Sequence, residues 1–268
     1  MKLLEHLLGE EWNICPAGGA TGEAYIAENG DQKIFIKRNS SPFLAVLSAE
    51  GIVPKLLWTK RLENGDVLTA QRWIKGRELK SPELRQKRVA RLLAKIHRSR
   101  ELLDMFTRMG NHPLTPQALF KETKSRAVRL QIKDPYITEA LKWLEKNLPE
   151  SRIEEHVVCH ADVNHNNWII SSEDSLYLID WDGATVADPA LDLAPMLYLY
   201  VPENEWGSWL KEYGVTYTPE LKYRLDWYMA AHCVESMLWH WQRQEFHDIT
   251  KWSDILTEII RQSRFHSS

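Results

Sequence analysis

The chain of 268 residues is 44% hydrophobic and 26% charged, which is the composition of a folded globular protein and not of a disordered or fibrous one. Thirty-four basic against 37 acidic residues leave a formal net charge of −3, so nothing draws the chain generally to a nucleic-acid backbone. At this length roughly 70–75% of the unfolded surface can be buried, and neither disulfides nor a structural metal is required.

Met1 to Gly9 carries only a short apolar stretch broken by Glu5 and His6, and no apolar run approaches membrane-spanning length. Both a signal peptide and a membrane span are argued against. Glu23 to Glu28 and Gln32 to Arg38 read as short strands around Asn29-Gly30-Asp31, a hairpin signal. Lys55 to Leu62 and Asp66 to Ile74 repeat the design around Asn64-Gly65, and Pro42 to Glu50 between them has the composition of a very short helix. From Ser81 to Leu103 apolar residues recur at helical spacing after a Ser81-Pro82-Glu83 start. A second helix is expected from Pro135 to Asn147. Val157 to Cys159 and Leu176 to Ile179 are short apolar strands on either side of a polar loop. After Asp188 the chain reads mostly helical, strongest from Pro219 to Trp241. The expectation is an α+β chain: a small antiparallel β-rich lobe over residues 1–75, hinged near Gly76 to a larger helical lobe over residues 76–268. Cys15, Cys159 and Cys233 are odd in number and in no CxxC spacing, which suits reduced thiols and a cytoplasmic setting.

The densest chemistry is the stretch V-C-H-A-D-V-N-H-N-N-W-I from Val158 to Ile169. His160, Asp162 and Asn167 stand there as H-x-D-x-x-x-x-N, and Asp180 ends the later apolar strand. Phosphoryl transfer from a nucleotide needs a carboxylate that orients an alcohol, plus an amide oxygen and a second carboxylate on Mg²⁺. Mg²⁺ is a hard cation served by such oxygens. A loop followed by a strand-end aspartate supplies all three groups, although Asp and Asn also populate loops merely because they make Asx-turns.

HADVNHNNW and LYLIDWDGATVADPALDLA resemble the aminoglycoside phosphotransferase and choline/ethanolamine kinase family, small-molecule kinases with a protein-kinase-like, two-lobed fold. GEAYIAENGDQKIFIKRNSSP and PKLLWTKRLENGDVLTAQRWIKG are similar to its compact CcrZ/YtmP-type bacterial branch. The family resemblance implies ATP and Mg²⁺ as cofactors, Asp162 as catalytic base, and Asn167 and Asp180 as metal ligands, with Asp182 reaching a second metal through water. It implies that His160 braces the loop and that Asp192 ties it to a helix. The branch implies a sugar-hydroxyl acceptor (ribose, deoxyribose or a nucleoside) and protein partners in cell-cycle control. Asn164, His165 and Trp168, beside the base, suit such an acceptor.

On the nucleotide side, Gly18, Gly19, Thr21 and Gly22 lie in a turn whose backbone N–H groups could approach phosphates; no P-loop motif occurs. Lys37 ends the apolar run Ile34-Phe35-Ile36, where a kinase-like fold places its phosphate-gripping lysine, with Glu50 of the short helix as its expected ion-pair partner. Adenine is expected against Gln71, Trp73 and Ile74.

Other chemistries fit less well. LIDWDG also resembles the first motif of haloacid-dehalogenase-type phosphatases, but the 86 residues after Asp182 contain no DD or GDxxxD. His156, Cys159, His160 and His165 match no structural zinc spacing. A regulatory scaffold without turnover is the alternative of another class. The aromatic second half offers Tyr198, Trp206, Trp209, Trp227 and Trp239 either to a choline cage or to the core, and its scattered glutamates either to an aminoglycoside or to solvent.

Overall fold

The computed structural model describes residues 2–17, 23–40, 43–110 and 112–265. In chain order, helix α1 (Lys2–Leu8) precedes strands β1 (Asn13–Pro16), β2 (Ala24–Asn29) and β3 (Gln32–Arg38). Helix α2 (Leu44–Ala49) then leads to β4 (Leu56–Arg61), β5 (Val67–Arg72) and β6 (Gly76–Glu78). A 3₁₀ turn over Ser81–Arg85 opens a run of helices: α3 (Lys87–Arg98), α4 (Arg100–Arg108), α5 (Pro116–Arg129) and α6 (Pro135–Lys146). Four short strands follow, β7 (Val157–Cys159), β8 (Trp168–Ser171), β9 (Leu176–Leu178) and β10 (Thr185–Ala187). The chain closes with α7 (Ala190–Tyr200), α8 (Trp206–Tyr213), α9 (Pro219–Arg243) and α10 (Phe246–Phe265).

Two compact units result. The first holds Met1–Lys80 and His165–Gly183, and so differs from the 1–75 stretch expected from sequence. The reason is strand pairing: β6 joins β8 and β9 in a three-stranded sheet, with Gly76 opposite Ser171 and Glu78 opposite Ile169. Gly76 is required there, because a Cβ would run into the backbone carbonyl of Ile170. The main sheet of this unit has the order β1-β2-β3-β5-β4 and is antiparallel throughout. Along β3 the strand period of two sends Ile34 and Ile36 into a core with Leu4, Ala27, Leu68 and Ala70, which leaves Phe35 and Lys37 for the opposite face.

The second unit holds Ser81–Asn164 and Ala184–Ser268. Its axis is α9, which packs against α5, α6, α7 and α10 and buries Leu225, Trp227, Tyr228, Met229, Cys233, Val234, Met237 and Leu238. Side-chain caps start its helices: Thr115 accepts from Ala118 N, Asp134 from Ile137 N, and Thr218 from Leu221 N, each followed by a proline at the first helical position. The single helix expected over Ser81 to Leu103 is instead three pieces. Ser99 adopts an extended conformation and its side chain accepts from Leu102 N at 3.2 Å; a serine gains more as an N-cap than in a helix interior. The two-stranded pair β7–β10 places Cys159 opposite Thr185.

Candidate functional site

In the first unit a cation and two carboxylates converge. Lys37 Nζ donates to Asp182 Oδ2 at 2.8 Å and to Asp180 Oδ1 at 3.1 Å. The lysine side chain is 22% exposed, whereas Asp180 and Asp182 are 53% and 56% exposed, so both carboxylates keep a face open to solvent. Between them Trp181 is buried, donates Nε1–H to the Leu178 carbonyl at 2.8 Å, and meets Phe43 edge-on at 6.1 Å. A buried anchor between two outward acids is what turns D-W-D into a paired-carboxylate motif. Asp180 itself takes the left-handed backbone conformation, φ 64°, which aspartate tolerates better than most side chains. Burial alone would pull the Lys37 ammonium down. The hydrogen bonds it donates to Asp182 and Asp180, and their charges, outweigh it and hold the group above its ordinary value.

The acids seen on Lys37 are not the one expected from sequence, Glu50. Helix α2 stops at Ala49, Glu50 is its C-cap, and the carboxylates on Lys37 are Asp180 and Asp182. Asn167 ends a short 3₁₀ turn and is buried, and its carbonyl accepts from Ile179 N at 2.8 Å, which ties the turn to the strand end that carries Asp180. Trp168 is fully buried; as the first residue of β8 it packs in the core, and its ring is not presented to an acceptor. Gln71 spends its amide on the Pro54 carbonyl at 2.9 Å. Trp73 is partly exposed, with the Lys33 ammonium 4.4 Å above its ring, and Ile74 is half-buried. Gly18, Gly19, Thr21 and Gly22 lie outside the described residues.

The second unit carries the other half of the motif. Asp162 is exposed; Asn164 Nδ2 donates to its Oδ1 at 2.6 Å, and its backbone N–H points to His160 Nδ1 at 3.3 Å. His165 is half-buried in the first unit. Ala161 is left-handed at φ 63°, a conformation that costs an alanine about 1–2 kcal/mol. Asp192, fully buried, holds it there: Oδ1 accepts from Ala161 N at 2.8 Å and Oδ2 from His160 N at 2.7 Å. His97 Nε2 lies 3.1 Å from the same Oδ2, and His97 Nδ1 lies 2.7 Å from the Tyr213 hydroxyl. Buried carboxylates survive when surrounded by N–H donors in this way.

His97, Cys159 and Asp192 bring ligand atoms within 4.8 Å of one another, and all three are engaged in hydrogen bonds. Burial, and then the charges of Asp192 and Asp188, push the Cys159 thiol well above its ordinary value. The thiol donates to the Asp188 carbonyl at 3.4 Å. Sequence reasoning missed His97 as a partner of Asp192 and Tyr213 as a partner of His97, and it missed His232 on α9, whose imidazole feels the charge of Asp162. Of the aromatic candidates, Trp206, Trp209 and Trp227 are buried core, and Trp239 is the most exposed of the five at 41%.

A five-stranded antiparallel sheet bearing a lysine, followed by an H-x-D-x-x-x-x-N loop and a strand-end aspartate, defines a kinase-like phosphotransferase. The model of the phosphotransferase enzyme family matches residues 16–228, and the chain belongs to that family. That family is one of phosphotransferase enzymes. Choline kinase LicA from Streptococcus pneumoniae, in its complex with AMP, is 20% identical, with 97% of this chain and 95% of that one covered and a TM-score of 0.66. Spectinomycin phosphotransferase APH(9)-Ia, in complex with ADP and spectinomycin, is 16% identical over 96% of this chain and 93% of that one, with a TM-score of 0.64. An uncharacterized protein of Metamycoplasma hominis is 32% identical over 108 residues. The chain spans about a fifth of the length of that curated relative. No described helix is long and apolar enough to cross a membrane.

Proposed function

We propose that the protein moves the γ-phosphoryl group of ATP to a hydroxyl of a small molecule, with Asp162 orienting that hydroxyl and taking up its proton. The observation that carries this reading is the Lys37 cluster: a strand-borne ammonium bonded to both acids of D-W-D. Hard oxygen donors are what Mg²⁺ takes; the outward carboxylates of Asp180 and Asp182 fit it, and the buried Asn167 amide is the third such donor. Bound there, Mg²⁺ would offset the negative charge of the phosphates. Lys37 binds phosphate oxygens, Asn164 fixes the rotamer of Asp162, and Asp192 fixes the loop backbone. Gly18, Gly19, Thr21 and Gly22 belong to the phosphate side of this reading, and Gln71, Trp73 and Ile74 to the adenine side.

The acceptor in this reading is a ribose, deoxyribose or nucleoside-type alcohol, recognised with help from Asn164 and His165. Support comes from the N-terminal stretches that resemble the CcrZ/YtmP-type branch, and the link to cell-cycle partners and a cytoplasmic setting rests on that resemblance and on the reduced cysteines. Choline fits less well, because the tryptophans available for a quaternary-ammonium cage are mostly core. The test is ADP release from Mg²⁺–ATP with ribose, deoxyribose, nucleosides, choline, ethanolamine and kanamycin in parallel. Turnover confined to the sugar arms supports the reading. Turnover on choline or kanamycin alone replaces the acceptor, and silence on every arm favours a regulatory scaffold.

A further inference from the structure

We propose that Tyr213 is a positioning residue: its hydroxyl donates to Nδ1 of His97, keeps that nitrogen unprotonated while Asp192 takes the Nε2–H, and so completes the donor set on Asp192 that shapes the backbone leading into Asp162. The inference rests on the reading of Asp162 given above and extends it to a residue 51 positions beyond it in sequence.

The geometry is a continuous buried chain. Tyr213 OH and His97 Nδ1 are 2.7 Å apart, His97 Nε2 and Asp192 Oδ2 are 3.1 Å apart, and Asp192 receives the amides of His160 and Ala161. An ionised carboxylate only accepts, so the hydrogen between His97 and Asp192 sits on Nε2. With Nε2 protonated on a neutral ring, Nδ1 is a bare lone pair and the phenol must be the donor. Burial first, then the nearby Cys159 thiol and Asp192 carboxylate, raise the Tyr213 phenol far above its ordinary range, with Arg98 pulling weakly the other way. The hydroxyl therefore keeps the hydrogen that it donates.

Tyr213 is also held too firmly for chance contact. Its ring lies parallel to Trp209 at 6.3 Å and edge-on to His97 at 5.6 Å. Its carbonyl accepts from Arg98 Nη2 at 2.7 Å. Gly214 then ends α8 in the left-handed conformation, φ 99°, where a Cβ would collide with the same guanidinium. Packing alone would be served as well by phenylalanine; only the relay needs the hydroxyl.

The experiment is ¹⁵N NMR of the full chain, wild type and Tyr213→Phe, with amide exchange of His160 and Ala161 and turnover in parallel. Wild type is expected to show His97 as the neutral Nε2–H tautomer. Tyr213→Phe, which keeps the ring stack, should strip Nδ1 of its donor, seen as a shift of its ¹⁵N resonance, speed exchange at both amides at least about tenfold, and lower kcat about tenfold with the dissociation constant of Mg²⁺–ADP unchanged. A doubly protonated His97 in wild type overturns the proposal, and that measurement needs no variant to fold. So does a Tyr213→Phe protein whose His97 Nδ1 resonance and exchange rates match wild type. A wild-type protein with the expected tautomer and slow exchange, but with kcat unmoved by Asp162→Asn, supports the relay and rejects Asp162 as base.

Discussion

The Lys37 ammonium lies 2.8 Å from Asp182 Oδ2 although 145 positions separate the two residues. The cation is the more buried partner and the carboxylate the more exposed one, so the charge is held by a group that can also turn toward a ligand.

Lys37→Met should lower kcat/KM for ATP by about 10²-fold, the usual cost of one preorganised donor to developing charge. Lys37→Arg should restore little of it, because a planar fork does not replace a compact ammonium. Steady-state kinetics at varied ATP check both; unchanged kinetics in Lys37→Met would remove the residue from the phosphate site. The ammonium's raised value also fixes a pH window. Its contribution to stability is complete below the ordinary value of 10.5 and is lost as pH rises through the higher folded value. The melting difference between wild type and Lys37→Met should therefore be small and flat from about pH 6 to about pH 9.

Asp180→Asn should raise the Mg²⁺ concentration for half-maximal turnover by about 10²-fold, with a smaller shift for Asp182→Asn, since the amide keeps shape but loses charge. A Mg²⁺ titration at saturating ATP reads this directly. If Asp182→Asn shifts the titration more than Asp180→Asn, the two ligand roles are exchanged.

Asp162→Asn should reduce kcat by about 10²–10⁴-fold, the range for loss of a general base, while nucleotide affinity stays within about twofold. Isothermal titration with Mg²⁺–ADP separates the two quantities. Equal losses in affinity and turnover would make Asp162 a structural residue of its loop.

What could be read from the chain was local. Asn29-Gly30-Asp31 and Asn64-Gly65 announce their hairpins because turn chemistry needs those residues, and β3 runs over Gln32–Arg38 as its alternation demands. The D-W-D acids were legible because they sit at a strand end. Their grip on Lys37 was not, since a tertiary contact across 143 and 145 positions leaves no trace in spacing. Distance along the chain pointed to Glu50, the C-cap of α2, and gave no sign that Asp180 and Asp182 would reach Lys37. Trp168 was misread because it adjoins the polar motif, although β8 puts it in the core. His97 and Tyr213, 116 residues apart, look in sequence like an ordinary helix histidine and tyrosine. The compact units part from the 1–75 boundary because β6 finds its partner in β8, far downstream.

His232 supplies a prediction that joins stability to the catalytic loop. It lies on α9 with its ring edge-on to Trp252 at 5.3 Å. Burial pulls the imidazole down to about 4, and the Asp162 charge only partly offsets this. In the unfolded chain the group titrates at its ordinary value of 6.5, so between these two values the unfolded state binds more protons. Stability therefore rises with pH across that window and falls as the solution is acidified through it. His232→Gln should flatten that limb of the melting-temperature profile. Asp162→Asn removes the charge that raises the imidazole, so the His232 titration followed by NMR should move lower still. A titration midpoint near 6.5 in wild type, or one indifferent to Asp162→Asn, would separate the histidine from the loop that it faces electrostatically.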